Sequence, residues 1–299
     1  MTYKVYQVDS FTEKRFAGNP AGVVANAEGL NEEKMQKIAR ELNNSETAFI
    51  FQSDESGYDV HLRFFTPLKE VPICGHATVA AHYIRAIENN LGSCRVTQKT
   101  GAGILPVDII KEKNDYRIVM TQGKIEFEEP LNQAVSESIL KALGLTSADR
   151  DERCPIQIVS TGHSKVMIGI NKEDKLNSLT PDMTKLAALS REIKCNGYFV
   201  FTFDSNEKDI LTKGRMFAPA IGINEDPVTG NANGPLGAYI VKYKLVDFTG
   251  GKFSFKGMQG AAIGRPGIVN VEVDVDNGSP VEVRIGGNAV VVFKTEIDI

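Results

Sequence analysis

Two stretches of the chain space their apolar residues at three and four, NEEKMQKIAREL at 31–42 and PDMTKLAALSREI at 181–193. That spacing predicts amphipathic helices, the first capped by Asn31 and the second opened by Pro181 at its first helical position. Each leads into a β-rich run, SETAFIF or CNGYFVF, and then into a strand ending R-x-F-x-P, RFFTP at 63–67 and RMFAP at 215–219. After a loop and a turn of small residues comes a second helix in each case, over 77–88 and 232–243. These helices have few polar positions, so each has to be enclosed on most sides. Glycine-punctuated strands follow, QKTGAGILPVDII and KGMQGAAIGRPGIVNVEV, and Asp276-Asn277-Gly278 between alternating segments marks a hairpin.

The same order of elements occurs twice because the sequence itself repeats. Arg63, Phe65 and Pro67 recur as Arg215, Phe217 and Pro219 at an offset of 152. Upstream, Arg40-Glu41 matches Arg191-Glu192 at 151, and Phe49-Ile50-Phe51 matches Phe199-Val200-Phe201 at 150. Downstream, EVPICGHA (70–77) matches EDPVTGNA (225–232) at 155, with four of the eight positions identical. Four matches in one order, with slowly drifting spacing, indicate two homologous halves. The expected fold is α+β, with two pseudo-symmetric halves, each a β-barrel-like sheet wrapped round a central helix. The halves are expected over 1–125 and 126–288, with a C-terminal strand at 289–299 returning to the first.

Composition narrows the class of protein. A chain of 299 residues with 42% hydrophobic and 24% charged residues can bury a substantial core. The net charge is −4 with no long run of one sign, which argues against a nucleic-acid or anionic-membrane partner. No stretch of about 18 apolar residues predicts a transmembrane helix, and the N-terminus lacks the apolar core of a signal peptide. Cys74, Cys94, Cys154 and Cys195 form no C-x-x-C pair, which favours reduced thiols and a cytoplasmic setting. A homodimer is expected only from the frequency of twofold oligomers. No metal and no cofactor are expected, since H-x-x-x-H, G-x-x-x-x-G-K-[ST], G-x-G-x-x-G and G-x-S-x-G are all missing.

The candidate chemistry sits at the small-residue turns, Cys74-Gly75-His76-Ala77-Thr78 and Thr229-Gly230-Asn231-Ala232-Asn233. A helix start presents N–H groups and a partial positive charge, and glycine lets a ligand approach them closely. Two such starts could clasp one small anionic substrate between the halves. The other account is that Gly230, Gly234 and Gly237 only permit tight packing of helix against sheet. The halves differ in their ionisable groups: Glu46 has no acidic counterpart, Asp226 answers to Val71, and His76 answers to Asn231. Such asymmetry suggests divided labour, with Glu46 placed in an apolar segment where a raised pKa would suit proton transfer.

The stretches VDSFTEKRFAGNPAGVV, NNSETAF, FFTPLKEVPICGHATVAAH, FAPAIGINEDPVTGNANGPLGAYI and QGAAIGRPG resemble the PhzF family over essentially the whole length. The resemblance implies the fold of diaminopimelate epimerase, with a cleft between two similar domains. It also implies a cofactor-free carbon-acid site in which Glu46 moves the proton while His76 and Asp226 bind and orient a carboxylate substrate. Gly75, Ala77, Gly230 and Asn231 would line that site, and Asn19 in the GNPAGVV loop would help close it. Asn231 and Asn233 stand where family members commonly carry Ser and His, as in a branch whose substrates are largely unknown. Two alternatives stay open, a racemase or epimerase on the same fold and a non-catalytic small-molecule-binding protein. A two-thiol mechanism fails on residue type, because the counterpart of Cys74 is Thr229.

Overall fold

Alternation at the N-terminus becomes β1 (Thr2–Ser10), in which Tyr3 and Val5 point inward and Thr2 and Lys4 outward. The computed structural model describes all 299 residues in two compact units, 1–121 with 286–299, and 122–285. In the first unit the elements after β1 are β2 (Asn19–Val24), α1 (Glu32–Leu42), β3 (Thr47–Gln52), β4 (Val60–Phe65) and β5 (Glu70–Val71). Then come α2 (Gly75–Glu88), β6 (Cys94–Thr100), β7 (Gly103–Glu112) and β8 (Asp115–Thr121). The amphipathic helix forms as its spacing predicts. Asn31 accepts a side-chain cap bond from the Lys34 N–H, and Met35, Ile38 and Ala39 pack against Phe49 and Phe65.

The sheet of this unit closes on itself. β1 pairs antiparallel with β2, β2 parallel with β3, β3 antiparallel with β4, and β4 parallel with β6. β6, β7 and β8 continue antiparallel, and the C-terminal strand (Ser279–Asp298) joins β8 to β1. The result is an eight-strand closed barrel, with α2 packed against β1, β2, β3, β7 and β8. Ten of the fourteen residues of α2 are buried, so the helix is enclosed as its composition requires. Inside it, His82 bonds Gln98 at 2.9 Å, a pairing that satisfies a histidine with no access to water.

The second unit repeats this order. After β9 (Glu126–Pro130) and α3 (Gln133–Ala142) come β10 (Gln157–Ser160), β11 (Lys165–Ile170), a short helix α4 (Glu173–Asn177) and α5 (Met183–Ile193). β12 (Tyr198–Thr202), β13 (Thr212–Ala218), β14 (Ile223–Asp226) and α6 (Gly230–Tyr243) follow, then β15 (Lys252–Gln259), β16 (Gly267–Asp276) and the last strand, β17. Its pairings have the same sense: β10–β11 antiparallel, β11–β12 parallel, β12–β13 antiparallel, β13–β15 parallel and β15–β16 antiparallel. Eleven of fourteen residues of α6 are buried, and it packs on β10, β11, β15 and β16. Asn277 and Gly278 join β16 to β17 with φ of 49° and 78°, the two positive angles a tight hairpin turn needs.

Three helix starts differ from the sequence expectation. α5 starts at Met183, because Asp182 stays extended and accepts the Lys185 N–H at 3.0 Å, leaving Pro181 outside. α2 and α6 start at their glycines, Gly75 and Gly230, rather than two residues later, since only Cys74 and Thr229 keep extended backbone.

The repeated R-x-F-x-P and the glutamate after it have a structural reason. Arg63 forks onto Glu70 at 2.7 and 2.6 Å and lies over the Phe65 ring, two residues on and therefore on the same strand face. Arg215 forks onto Glu225 at 2.9 and 2.7 Å and lies over Phe217. Each fork pins a short strand, β5 or β14, so that the chain is delivered to the helix start behind it.

Candidate active site

In the first unit, residues from two distant segments meet at the start of α2. Glu46 immediately precedes β3, and its main-chain carbonyl accepts the Gly22 N–H at 3.2 Å, which holds the segment against β2. Its carboxylate Oε2 lies 3.3 Å from His76 Nε2, with the Glu46 side chain only 15% exposed. Ser45 Oγ is 3.2 Å from the same nitrogen, and Cys74 Sγ is 3.4 Å from Nδ1. The helix start is itself anchored, since Ser10 Oγ donates to the His76 carbonyl and Thr78 Oγ1 to that of Cys74. Asn19 opens β2 opposite Ser10 and is buried, as is Ala77. Carboxylate, imidazole and thiol therefore surround one point, where a proton can be held or passed between Glu46 and His76.

In the second unit, the equivalent helix start carries amides and hydroxyls. Asp226 ends β14, and its carboxylate accepts a hydrogen bond from Thr229 Oγ1. Gln259 ties this turn together: its Nε2 donates to the Asp226 carbonyl at 2.7 Å, and its Oε1 accepts the Thr229 N–H at 3.0 Å. Asn233 Nδ2 donates to the Thr229 carbonyl and to Gln259. Gln122 Nε2 donates to Asn231 Oδ1 at 2.9 Å and to the Gly230 carbonyl at 3.3 Å, while Thr161 Oγ1 donates to Gln122. Burial lowers the pKa of the Lys165 ammonium, with Cys195 and Asp226 pulling it back up. Pro235 lies inside α6 and lacks the N–H that would bond the Asn231 carbonyl.

The starts of α2 and α6 also differ from those of the amphipathic helices α1, α3 and α5. Asn31, Asn132 and Asp182 cap α1, α3 and α5 with their side chains, whereas neither Cys74 nor Thr229 caps its helix in that way. A capped start directs a side-chain oxygen at its own N–H groups, and these two buried starts do without it. The glycines divide between two causes. A Cβ at Gly237 would lie 2.7 Å from Val271 and 2.9 Å from Val273, and one at Gly234 would overlap the Gln122 amide, so packing explains both. A Cβ at Gly75 would meet only Met120, at an ordinary 3.5 Å, so packing does not require a glycine there.

Several residues at these turns escape sequence reasoning. Ser45 adjoins Glu46 in the NNSETAF stretch and Gln259 lies in QGAAIGRPG, so both fall inside recognisable segments without a chemical type that draws notice. Gln122 and Thr161 carry no signal, because a single amide or hydroxyl in a connecting segment has no period or spacing.

The model of the PhzC-PhzF family, phenazine biosynthesis-like proteins, matches residues 8–295. An uncharacterized isomerase of Clostridium acetobutylicum is 64% identical over 99% of this chain and 98% of its own. A trans-2,3-dihydro-3-hydroxyanthranilate isomerase of Pseudomonas chlororaphis is 29% identical over 95% of each chain. Among solved structures, a PhzF-family phenazine biosynthesis protein of Bacillus anthracis superposes with a TM-score of 0.90 at 32% identity, covering all of both chains. A hydroxyproline epimerase of Agrobacterium vitis shares the fold alone, with a TM-score of 0.61 at 11% identity over 99% of this chain and 92% of its own. The chain belongs to the PhzC-PhzF family.

Proposed function

We propose that this PhzF-family isomerase moves a proton between carbons of a small carboxylate-bearing metabolite without a cofactor, with Glu46 as the general acid–base. The observation that supports it most is the 3.3 Å contact of Glu46 Oε2 with His76 Nε2 at a buried, uncapped helix start. In this reading Glu46 takes a proton from a carbon beside an electron-withdrawing group, and the enolate-like charge is steadied by the N–H groups of the first turn of α2. The same carboxyl returns the proton to another carbon, and His76 holds the reacting group in reach. Asp226 and Asn231 orient the substrate, held by Thr229, Gln259 and Gln122. The relative named as a hydroxyanthranilate isomerase supports this class of reaction.

A racemase-like reading would set Cys74, beside His76, against a second acid–base group. Its counterpart Thr229 instead donates its hydroxyl to Asp226 and has no acidity near neutral pH, so one-base isomerisation fits better. The test is incubation with a panel of small carboxylates in deuterated water, followed by mass spectrometry and NMR. Carbon-bound deuterium, or an isomer carrying it, is the expected outcome. Conversion of a substrate with no exchange at any carbon, even in single-turnover sampling, counts against it.

A further inference from the structure

Glu46, Cys74 and His76 each offer one metal-ligating atom, and the three atoms lie within 4.8 Å of one another. Glu46 Oε2 is 3.3 Å from His76 Nε2, and Cys74 Sγ is 3.9 Å from that same nitrogen. Ligand atoms round a tetrahedral zinc ion sit about 3.2–3.8 Å apart, as bond lengths of about 2.0–2.3 Å require. The carboxylate and the imidazole already stand at such a separation, and the sulfur is within about 0.1 Å of its upper end from the same nitrogen. Cys74 and His76 are buried, and Glu46 is nearly so. The main chain that carries Cys74 and His76 is fixed by Ser10 and Thr78, so the set loses little freedom on binding. One sulfur, one nitrogen and one oxygen suit a borderline-soft ion, whereas magnesium and calcium favour oxygen throughout.

We propose that Glu46, Cys74 and His76 form a site for a borderline-soft divalent cation of the zinc type, and that its occupancy switches the enzyme off. On binding, the Cys74 S–H bond breaks, its proton passes to solvent, and the sulfur electron pair forms the bond to the metal. The Glu46 carboxylate then serves as a ligand and has no electron pair in position for a substrate proton. The inhibitory half of this proposal rests on the proton-transfer reading above; the binding half does not.

The test uses the full chain after chelator treatment, with Cys94 replaced by Ser, since that exposed thiol is an adventitious ligand. Cys154 and Cys195 are buried and closed to an ion in solution, and burial also pushes the Cys154 thiol up to about 12. Titration with cobalt(II) should give one equivalent with a sulfur-to-cobalt charge-transfer band in the near ultraviolet, displaced by zinc. Cys74→Ala should abolish the band, and Glu46→Gln should retain it while weakening binding by about tenfold or more. Absence of the band, or its persistence in Cys74→Ala, overturns the site. Deuterium exchange by the chelator-treated protein tests proton transfer by itself. Exchange that continues undiminished with the cobalt band saturated overturns the inhibitory half while leaving the site standing.

Discussion

The starts of α2 and α6 share one repeated sequence and carry different chemical groups. At α2, three groups that can gain or lose a proton, Glu46, Cys74 and His76, surround a single point. At α6, by the same offset, Thr229 and Asn231 replace the thiol and the imidazole; the Thr229 hydroxyl donates to the one carboxylate, Asp226, while the amides of Gln122, Asn233 and Gln259 tie down Asn231 and the main chain of the turn. The duplicated scaffold supplies a helix start in each unit, and the side chains there are what differ. The proposed division of labour, acid–base work in the first unit and orientation in the second, rests on this difference in side chains.

Replacement of the acid–base group should give the largest effect. Glu46→Gln keeps size and most hydrogen bonding, so proton exchange should fall by about 10²–10⁴-fold with little change in substrate affinity. Asp226→Asn should act mainly on affinity, because its carboxylate is already occupied by Thr229. Steady-state and exchange kinetics of the two variants separate the roles. An unaltered exchange rate in Glu46→Gln would falsify the assignment of labour.

The Arg–Glu forks give the next contrast, in stability rather than rate. The Arg215 and Glu225 side chains are 9% and 11% exposed, and Arg215 also donates to the carbonyls of Leu176 and Leu179. Arg63 and Glu70 are 24% and 37% exposed. Arg215→Met strands a buried carboxylate and should cost about 3–5 kcal/mol in urea denaturation. Arg63→Met leaves Glu70 in water and should cost about 1 kcal/mol or less. Equal losses would mean that the two forks are equally solvated.

Much of this architecture is legible in the sequence, for identifiable reasons. Arginine over phenylalanine at i and i+2, with a glutamate to bond, recurs as a pattern because strand geometry places those residues on one face. Helices α1 and α5 show through their apolar period, and α2 and α6 through its loss. The convergence of Glu46 with Cys74 and His76 does not show as a metal-type spacing, since the donors come from separate segments joined only by the β2–β3 and α2 packing. Gly234 and Gly237 look like ligand glycines in the sequence, but long-range contacts with Gln122, Val271 and Val273 account for them. Local spacing cannot register such neighbours.

The ionisable asymmetry extends into the helix bodies and predicts a pH effect. His82 is fully buried against Gln98, and burial, helped by Arg85, lowers its pKa to about 3; by the 155-residue offset α6 has Gly237 there. The unfolded histidine titrates near 6.5, so between about pH 6.5 and 3 the unfolded chain binds the extra proton. Stability from this group is complete above pH 6.5 and is lost as pH falls, by about 1.4 kcal/mol per unit within that window. His82→Gln should flatten the dependence of the urea midpoint between about pH 6 and 4. Parallel slopes in the two proteins would show that His82 titrates normally.

The smallest effect on stability should come at Gly75, and that is where the two helices part most cleanly. Gly237→Ala forces a methyl against Val271 and Val273 and should cost about 1–3 kcal/mol through overpacking. Gly75→Ala places its methyl at 3.5 Å from Met120, and alanine favours a helix over glycine by up to about 1 kcal/mol, so stability should hold or rise slightly. If the bare backbone at Gly75 serves a ligand, the same variant should lose about tenfold or more in substrate affinity, because the methyl stands where an anion would meet the first N–H groups. Thermal unfolding and exchange kinetics on one preparation read both effects. A Gly75→Ala protein that is stable and binds normally would remove the ligand role of this glycine, and one that unfolds would place Gly75 with Gly237 as a packing residue.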